Sequence, residues 1–165
     1  MNKKLSCFLI SLLVCSCVAN SLYNINYDKF KQDLSVCKTF EKEYESVSYM
    51  LCYINNIKEN IEGYAITGVY QMNSPIPVNF NEAILYNGKQ LKIQSEDDRR
   101  WGITINTYKI KLDENILDNV QDKLEIKIYG NSGVSYVMDL ITKEDIINFK
   151  EVVSKEKQKV SNYIK

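Results

Sequence analysis

The sequence predicts an α+β domain in which a long N-terminal helix and a C-terminal helix pack on an antiparallel sheet of five or six strands. Between Asp28 and Glu62 the apolar residues recur at spacings of three and four, which is typical of a helix. From Tyr64 to Met138 they alternate with polar residues in short runs, which is typical of strands, and helical spacing returns after Thr142.

The chain begins with a stretch that is typical of exported proteins. Lys3 and Lys4 are followed by the largely apolar segment Leu5–Val14. Such a run of about ten residues matches the apolar core of a secretory signal peptide. It is too short for a membrane-spanning helix, which needs about 20 residues. We therefore predict a signal peptide over residues 1–16, rather than a buried helix of a cytosolic protein.

The end of this stretch, Val14-Cys15-Ser16-Cys17, resembles the lipobox of bacterial lipoproteins. The resemblance covers the first 17 residues. It is nearest to the relaxed boxes of spirochaetal lipoproteins, because Val14 stands where Leu is usual and Cys15 where Ala or Ser is usual. It implies that Cys17 becomes the mature N-terminus and carries acyl chains such as palmitate. The lipid would hold the protein in the cell envelope, at the outer membrane or cell surface rather than at the inner membrane.

This interpretation divides the chain into three parts. Residues 1–16 are the signal peptide, residues 17–26 a lipidated tether, and residues 27–165 a single α+β domain. The alternative is cleavage after Ala19, with Cys17 and Ala19 as the small residues at positions −3 and −1. That cleavage would release a soluble secreted factor.

The predicted N-terminal helix spans Asp28–Glu62, a segment without Gly or Pro. Its apolar residues form one stripe, consisting of Cys37, Phe40, Tyr44, Val47, Leu51, Ile54, Ile57 and Ile61. Gly63 follows in the position where glycine commonly ends a helix. We expect the stripe to pack on the protein's own sheet, with a coiled-coil partner helix as the alternative.

The helix prediction also bears on the two cysteines of the domain. In one straight helix Cys37 and Cys52 would lie about 22 Å apart along the axis. A disulfide bond requires Cα atoms within about 7 Å of each other. We therefore favour reduced cysteines. The alternative is a break near residues 45–48, which would fold the segment back as a hairpin and allow a bond.

Short alternating runs predict the strands of the sheet. They are residues 64–70, 83–86, 91–93, 124–128 and 134–138, together with the runs 103–105 and 108–112, which belong to one bulged or bent strand. Asn87-Gly88 predicts a hairpin with a type I′ turn, and residues 130–133 predict a second hairpin. The apolar register changes between Ile105 and Tyr108, which predicts a bulge or bend. We expect one face of the sheet to be solvated.

The C-terminal helix is predicted to begin at Thr142. Asp145 lies three residues farther on, and this spacing is typical of a helix N-cap. The residues that then trace one apolar face are Ile146, Phe149, Val153, Val160 and Ile164.

The composition argues against several kinds of function. The chain has no histidine, so it lacks the commonest general base and the commonest transition-metal ligand. Lys plus Arg and Asp plus Glu number 21 each, and loss of Lys3 and Lys4 would leave the chain slightly acidic. This balance gives no electrostatic case for binding nucleic acid. The sequence also lacks a glycine-rich phosphate loop and a calcium loop.

We therefore predict that no residue is catalytic, cofactor-binding or metal-binding, and that the protein uses no cofactor. The predicted function is that of a non-enzymatic binding or structural module at the cell envelope, with the membrane as one partner through the lipid and a protein or host ligand as an unidentified second partner. A hydrolase built on two carboxylates is the alternative from another class, and it requires two acids that converge in a cleft.

One local cluster is unusual enough to be a candidate interaction loop. Residues 96–101 include the only two arginines, Arg99 and Arg100, and the only tryptophan, Trp101. Arg and Trp are enriched at the energetic centres of protein interfaces. The alternative is a polar loop in which Trp101 turns inward as the first core residue of the next strand.

Overall fold

The computed structural model describes residues 23–41, 47–72, 78–100, 103–131 and 133–164. Over these residues the protein is mainly β, with ten strands in two antiparallel sheets, a five-residue helix and a longer C-terminal helix. The predicted α+β class with a long N-terminal helix is therefore wrong.

The strands and helices have the following bounds in chain order. They are β1 (Tyr23–Asp28), β2 (Asp33–Glu41), β3 (Val47–Asn56), β4 (Ile61–Met72), β5 (Phe80–Leu85), β6 (Gln90–Leu91), β7 (Ile93–Arg100), β8 (Ile103–Leu112), α1 (Glu114–Asp118), β9 (Lys123–Gly130), β10 (Ser135–Thr142) and α2 (Lys143–Ile164). The larger sheet has the order β1-β2-β3-β4-β8-β7, and the smaller sheet has the order β10-β9-β5-β6.

The segment predicted as one long helix, residues 28–62, instead contains β2, β3 and the ends of β1 and β4. In β3 every second side chain from Val47 to Tyr53 is buried on the core face, and Cys52 is also buried on the opposite face. The segment is so rich in apolar residues that it fits both the helical and the strand period. Its many β-branched and aromatic residues favour the strand.

The prediction of reduced cysteines is also wrong. Cys37 of β2 and Cys52 of β3 lie directly opposite each other, with their Cα atoms 4.1 Å apart, and form a disulfide bond. The hairpin alternative is the one observed, because β2 ends at Glu41 and β3 begins at Val47 in the antiparallel direction.

The strands predicted after Tyr64 are found in β4 to β10, and both predicted hairpins are confirmed. The predicted type I′ turn is wrong, because that turn needs positive φ at both central residues and Asn87 does not have it. At the first hairpin the Leu85 amide donates a hydrogen bond to the Lys89 carbonyl at 2.9 Å, and Gly88 has a φ of 83°. The second hairpin joins β9 to β10. Residues 23–26, which the sequence predicted as tether, form part of β1.

The bulge predicted between Ile105 and Tyr108 is absent. β8 runs through both residues, and its register with β4 does not shift. The fully buried residue on the core face between them is Asn106, whose side-chain amide donates a hydrogen bond to the Val78 carbonyl at 2.6 Å. A polar residue therefore occupies a position that the alternating pattern reserves for an apolar one.

The core lies against one face of the six-stranded sheet. On one part of this face, Tyr108 packs against the Phe80 and Tyr136 rings of the four-stranded sheet. On another part, Phe149 of α2 packs against Tyr23 and Tyr64. The side of α2 that carries Phe149 is buried as predicted, together with Ile146, Val153 and Val160.

Candidate functional site

A cavity of about 260 Å³ lies on the opposite face of the six-stranded sheet, which we call the outer face. Its floor is formed by Gly63 and Ala65 of β4, on the face of the strand opposite to the buried Tyr64. β8 pairs with β4 only as far as Leu112, which lies opposite Tyr64. The first residues of β4, from Ile61 to Gly63, therefore have no paired β8 residue beside them.

The two walls of the cavity differ in chemistry. One wall is apolar and consists of Ile54 and Ile61, and the side chain of Ile61 is 54% exposed. The other wall is basic and consists of Lys92, Lys109 and Lys111. Gln94 of β7 also lines the cavity and lies opposite Lys109.

The three lysines of the basic wall come together through the sheet register. Lys109 and Lys111 are two residues apart in β8 and therefore point to the same face of the sheet. The amide of Lys111 donates a hydrogen bond to the carbonyl of Lys92 at 3.4 Å, which brings Lys92 beside β8. No carboxylate of the described residues forms an ion pair with any of these three lysines.

Glu62 also borders the cavity, but its charge is neutralised from the other side of the sheet. Lys157 of α2 and the Tyr53 hydroxyl each donate a hydrogen bond of 2.7 Å to the same carboxylate oxygen. The Lys157 ammonium, with help from Tyr53, lowers the pKa of Glu62 below its ordinary value. Glu62 is therefore an ion-paired carboxylate at neutral pH and does not offset the charge of the basic wall.

The disulfide bond lies in the same row of the sheet as the cavity floor. Cys37 is opposite Cys52, Cys52 is opposite Ala65, and Ala65 is opposite Lys111, so all four share the outer face. The bond fixes β2 to β3 beside the strand that carries the floor. Apart from Lys92, which lies between β6 and β7, the described lining residues belong to paired strands, which keeps them in register.

A second cavity, of about 670 Å³, lies between the β5–β6 turn and the segment from α1 to β9. Both of its described lysines form ion pairs with acidic side chains. Lys89 lies 3.4 Å from Asp113, and Lys123 lies 2.9 Å from Glu125. We therefore take the outer-face cavity, with its unpaired lysines, as the candidate functional site.

The predicted site residues lie elsewhere or outside the described residues. Arg99 and Arg100 belong to β7, opposite Thr104 and Ile103 of β8, so the segment predicted as a loop is the end of a strand. Trp101 and the predicted lipid-attachment residue Cys17 fall outside the described residues.

The sequence did not identify the residues of the cavity as a site. Lys109 and Lys111 fit the solvated face of an alternating strand, and Gly63 fitted the end of a helix. The signal that was available is a glycine inside a strand, which often marks a place where another group approaches closely.

Within the described part of the chain, no three His, Cys, Asp or Glu side chains are grouped so that they could hold a metal ion. None of the described helices is both long and apolar enough to cross a membrane. Comparison with protein-family models, with curated proteins and with solved structures gives no match to this chain.

Proposed function

We propose that the protein is an exported lipoprotein of the bacterial cell envelope, anchored through Cys17, and that it acts by binding a ligand rather than by catalysis. The candidate binding site is the outer-face cavity. In this proposal the anchor lies in the outer membrane or at the cell surface.

The observation that carries the proposal is the disulfide bond between Cys37 and Cys52. Structural disulfides form and persist in oxidising compartments and are rare in the cytosol of most organisms. An oxidised pair in the folded domain is therefore consistent with the export stretch at the start of the sequence. The lipobox-like sequence Val14-Cys15-Ser16-Cys17 adds the anchor to this argument.

The length of the tether sets how close to the bilayer the domain would lie. β1 begins at Tyr23, six residues after Cys17. Six residues span at most about 20 Å when fully extended. An acylated Cys17 would therefore keep the six-stranded sheet near the membrane surface, with β1 as the nearest strand in sequence.

A binding role is favoured over catalysis by the chemistry of the site. The chain has no histidine. Among the described residues that line the outer-face cavity the only acid is Glu62, which is ion-paired with Lys157. A hydrolase that works through two carboxylates needs both acids in one cleft, and this cavity offers one acid beside three lysines.

The anchor is tested by metabolic labelling with palmitate. The natural sequence is expected to be labelled and Cys17→Ala to lose the label, because the acyl chains depend on that residue. Cys15→Ala is the matched control and should keep the label, since it removes the neighbouring thiol of the same box. The mass of the mature N-terminus separates an acylated Cys17 from a free Asn20. Equal labelling of Cys17→Ala, or a free Asn20, would reject the anchor, and the latter would support the soluble secreted factor.

The oxidation state of Cys37 and Cys52 is tested on protein isolated from the envelope fraction. Alkylation without reductant should leave both residues unmodified, and reduction should expose both. Because the bond closes a loop with a sequence separation of 15 residues, we expect reduction to lower the free energy of unfolding by about 3 kcal/mol. Two freely alkylated thiols in the native protein would remove the main support for export.

A further inference from the structure

Gly63 is a glycine that the fold itself does not require. A Cβ added at Gly63 would meet no atom within 4 Å, and its φ is not positive. By contrast, a Cβ at Gly68 would lie 1.9 Å from the Tyr108 hydroxyl. Glycine inside a strand costs backbone entropy and offers no side chain for packing. The missing side chain at Gly63 leaves open the floor of the cavity.

The basic wall adds a second, independent observation. Three ammonium groups, those of Lys92, Lys109 and Lys111, line one small cavity and have no carboxylate partner among the described residues. All three side chains are exposed, so water and salt screen their repulsion, but an anion bound among them would be attracted by each. Glu96 follows Gln94 on the same face of β7 but does not line the cavity. The cavity is thus complementary to a negative charge that the described chain does not supply.

The apolar wall restricts the kind of anion that fits. Ile54 and Ile61 face the lysines across the glycine floor, so a small inorganic anion would leave that half of the cavity unfilled. The volume of about 260 Å³ lies just below the range of about 300 to 1,000 Å³ that is usual for pockets of drug-sized ligands. The cavity therefore suits a small amphipathic molecule or the end of a larger one.

We propose that this cavity binds an organic anion with a single anionic head, a carboxylate or a phosphate monoester, and a short apolar tail. The head lies against Lys92, Lys109 and Lys111, and the tail lies over Gly63 between Ile54 and Ile61. This inference names the ligand class for the binding site of the proposed function. It depends on the folded domain and not on the lipid anchor.

The test is isothermal titration calorimetry of the mature protein in a neutral detergent at low salt. The heat of the same titration into detergent micelles without protein is subtracted. The ligands are hexanoate, hexyl phosphate, hexanol and acetate. We expect hexanoate or hexyl phosphate to bind at least about tenfold more tightly than both hexanol and acetate. The stronger of the two anions identifies the head group. If neither exceeds hexanol and acetate, the proposal is overturned.

Two variants locate the binding in the cavity. Gly63→Val fills the floor of the cavity and should lower the affinity for the preferred anion by at least about tenfold. The denaturant midpoint of this variant should stay at the natural value or rise. Lys111→Gln should lower the affinity for the anion but leave the affinity for hexanol unchanged. Lys155→Gln is the matched control, because Lys155 is an exposed lysine of α2 that does not line the cavity. Unchanged anion binding in Gly63→Val and Lys111→Gln would overturn the assignment to this cavity.

The titration and the palmitate experiment fail independently. A protein that is not acylated can still bind the anion, because every cavity residue lies between Ile54 and Lys111. A protein that is acylated but binds no anion would keep the proposed anchor and lose the proposed ligand.

Discussion

Gly68 and Tyr108 illustrate how single residues fit the two sheets together. They lie opposite each other on the core face of β4 and β8. The Tyr108 ring lies over the glycine, because a Cβ at Gly68 would be 2.0 Å from the ring carbon that carries the hydroxyl. The ring can then reach the four-stranded sheet, where its hydroxyl contacts the Met138 sulfur at 3.4 Å. Burial raises the pKa of Tyr108, so this hydroxyl stays neutral at physiological pH.

Replacing Gly68 should therefore disturb the core. We expect Gly68→Ala to lower the free energy of unfolding by about 1 to 3 kcal/mol, because the added methyl group displaces the Tyr108 ring from a packed interior. The measurement is urea denaturation followed by far-UV circular dichroism.

Gly63→Ala is the matched control for this substitution. It adds the same methyl group to the same strand where no atom lies within 4 Å. Its stability should be unchanged or raised by up to about 1 kcal/mol, since alanine loses less backbone entropy on folding than glycine. Equal losses of stability in the two variants would contradict the account of Gly68.

At the scale of elements, the N-terminus of α2 is fixed by a capping box. The Asp145 amide donates a hydrogen bond to the Thr142 hydroxyl at 3.1 Å, and the Thr142 amide donates to the Asp145 carboxylate at 3.0 Å. Lys38 of β2 donates to the same carboxylate group at 2.6 Å. Asp145 thus joins the start of the helix to the six-stranded sheet, beside the point where β10 ends.

The pKa of Asp145 makes this junction sensitive to pH. Burial raises the pKa, but hydrogen bonds from Lys38 and Thr142 outweigh burial and leave it below the ordinary value of 3.8. A lowered pKa in the folded state contributes stability above pH 3.8, and that contribution is lost as the pH falls through the folded-state pKa.

We therefore expect Asp145→Asn to lower the free energy of unfolding by about 1 to 2 kcal/mol at pH 7, an amount limited by partial exposure of the ion pair to solvent. The difference from the natural protein should shrink below pH 3.8, where the natural carboxylate becomes protonated. Denaturant titrations of both proteins at pH 7 and pH 2.5 measure this difference in the free energy of unfolding. Glu144→Gln removes a charge from the same helical turn and should have little effect at either pH. A pH-independent loss in Asp145→Asn would show that the charge of Asp145 is unimportant.

The turns between the first strands explain why the sequence predicted a helix over residues 28–62. They contain no Gly or Pro, and Gln32 and Asn60 adopt positive φ values of 53° and 52°. The sequence did contain a weaker turn signal, the aspartate at position 28. The Asp28 carboxylate accepts hydrogen bonds from the amides of Phe30 and Lys31, which is typical of an Asx turn. Where glycine marks the turn, as at Gly88, the hairpin was predicted correctly.

The capping box of α2 was also predictable, because it depends on two side chains three residues apart. The disulfide bond was not, since it depends on the antiparallel pairing of β2 with β3. The outer-face cavity was even harder to predict from the sequence. Its described residues come from β3, β4, β7 and β8 and from Lys92, which precedes β7. Their proximity follows from the order of the strands in the sheet. The two-residue alternation along a single strand does not encode that order.

At the scale of the whole molecule, the two sheets are joined by aromatic rings and by at least one hydrogen bond between them. Phe80 and Tyr136 of the smaller sheet contact Tyr70 and Tyr108 of the larger sheet. The pairing of β10 with β9 shifts register between Met138 and Ile141. This shift frees the Leu140 amide from the strand ladder.

Tyr49 satisfies that amide from the larger sheet. The Leu140 amide donates a hydrogen bond to the Tyr49 hydroxyl oxygen at 2.8 Å, and Tyr49 is almost fully buried. Tyr49→Phe keeps the ring and its stacking with Phe40 but removes the acceptor. We expect it to lower the free energy of unfolding by about 1 to 2 kcal/mol, because a partly buried N–H group is left without its partner.

The matched control for this substitution is Tyr86→Phe, which removes a hydroxyl from a side chain that is 89% exposed. It should change stability by no more than about 0.5 kcal/mol. Amide hydrogen exchange gives a second readout, because protection at Leu140 should fall in Tyr49→Phe by more than protection in the centre of β3. If Tyr49→Phe and Tyr86→Phe are equally stable and Leu140 exchanges at the natural rate, this hydrogen bond does not hold the sheets together. The ring contacts would then be the interaction that joins them.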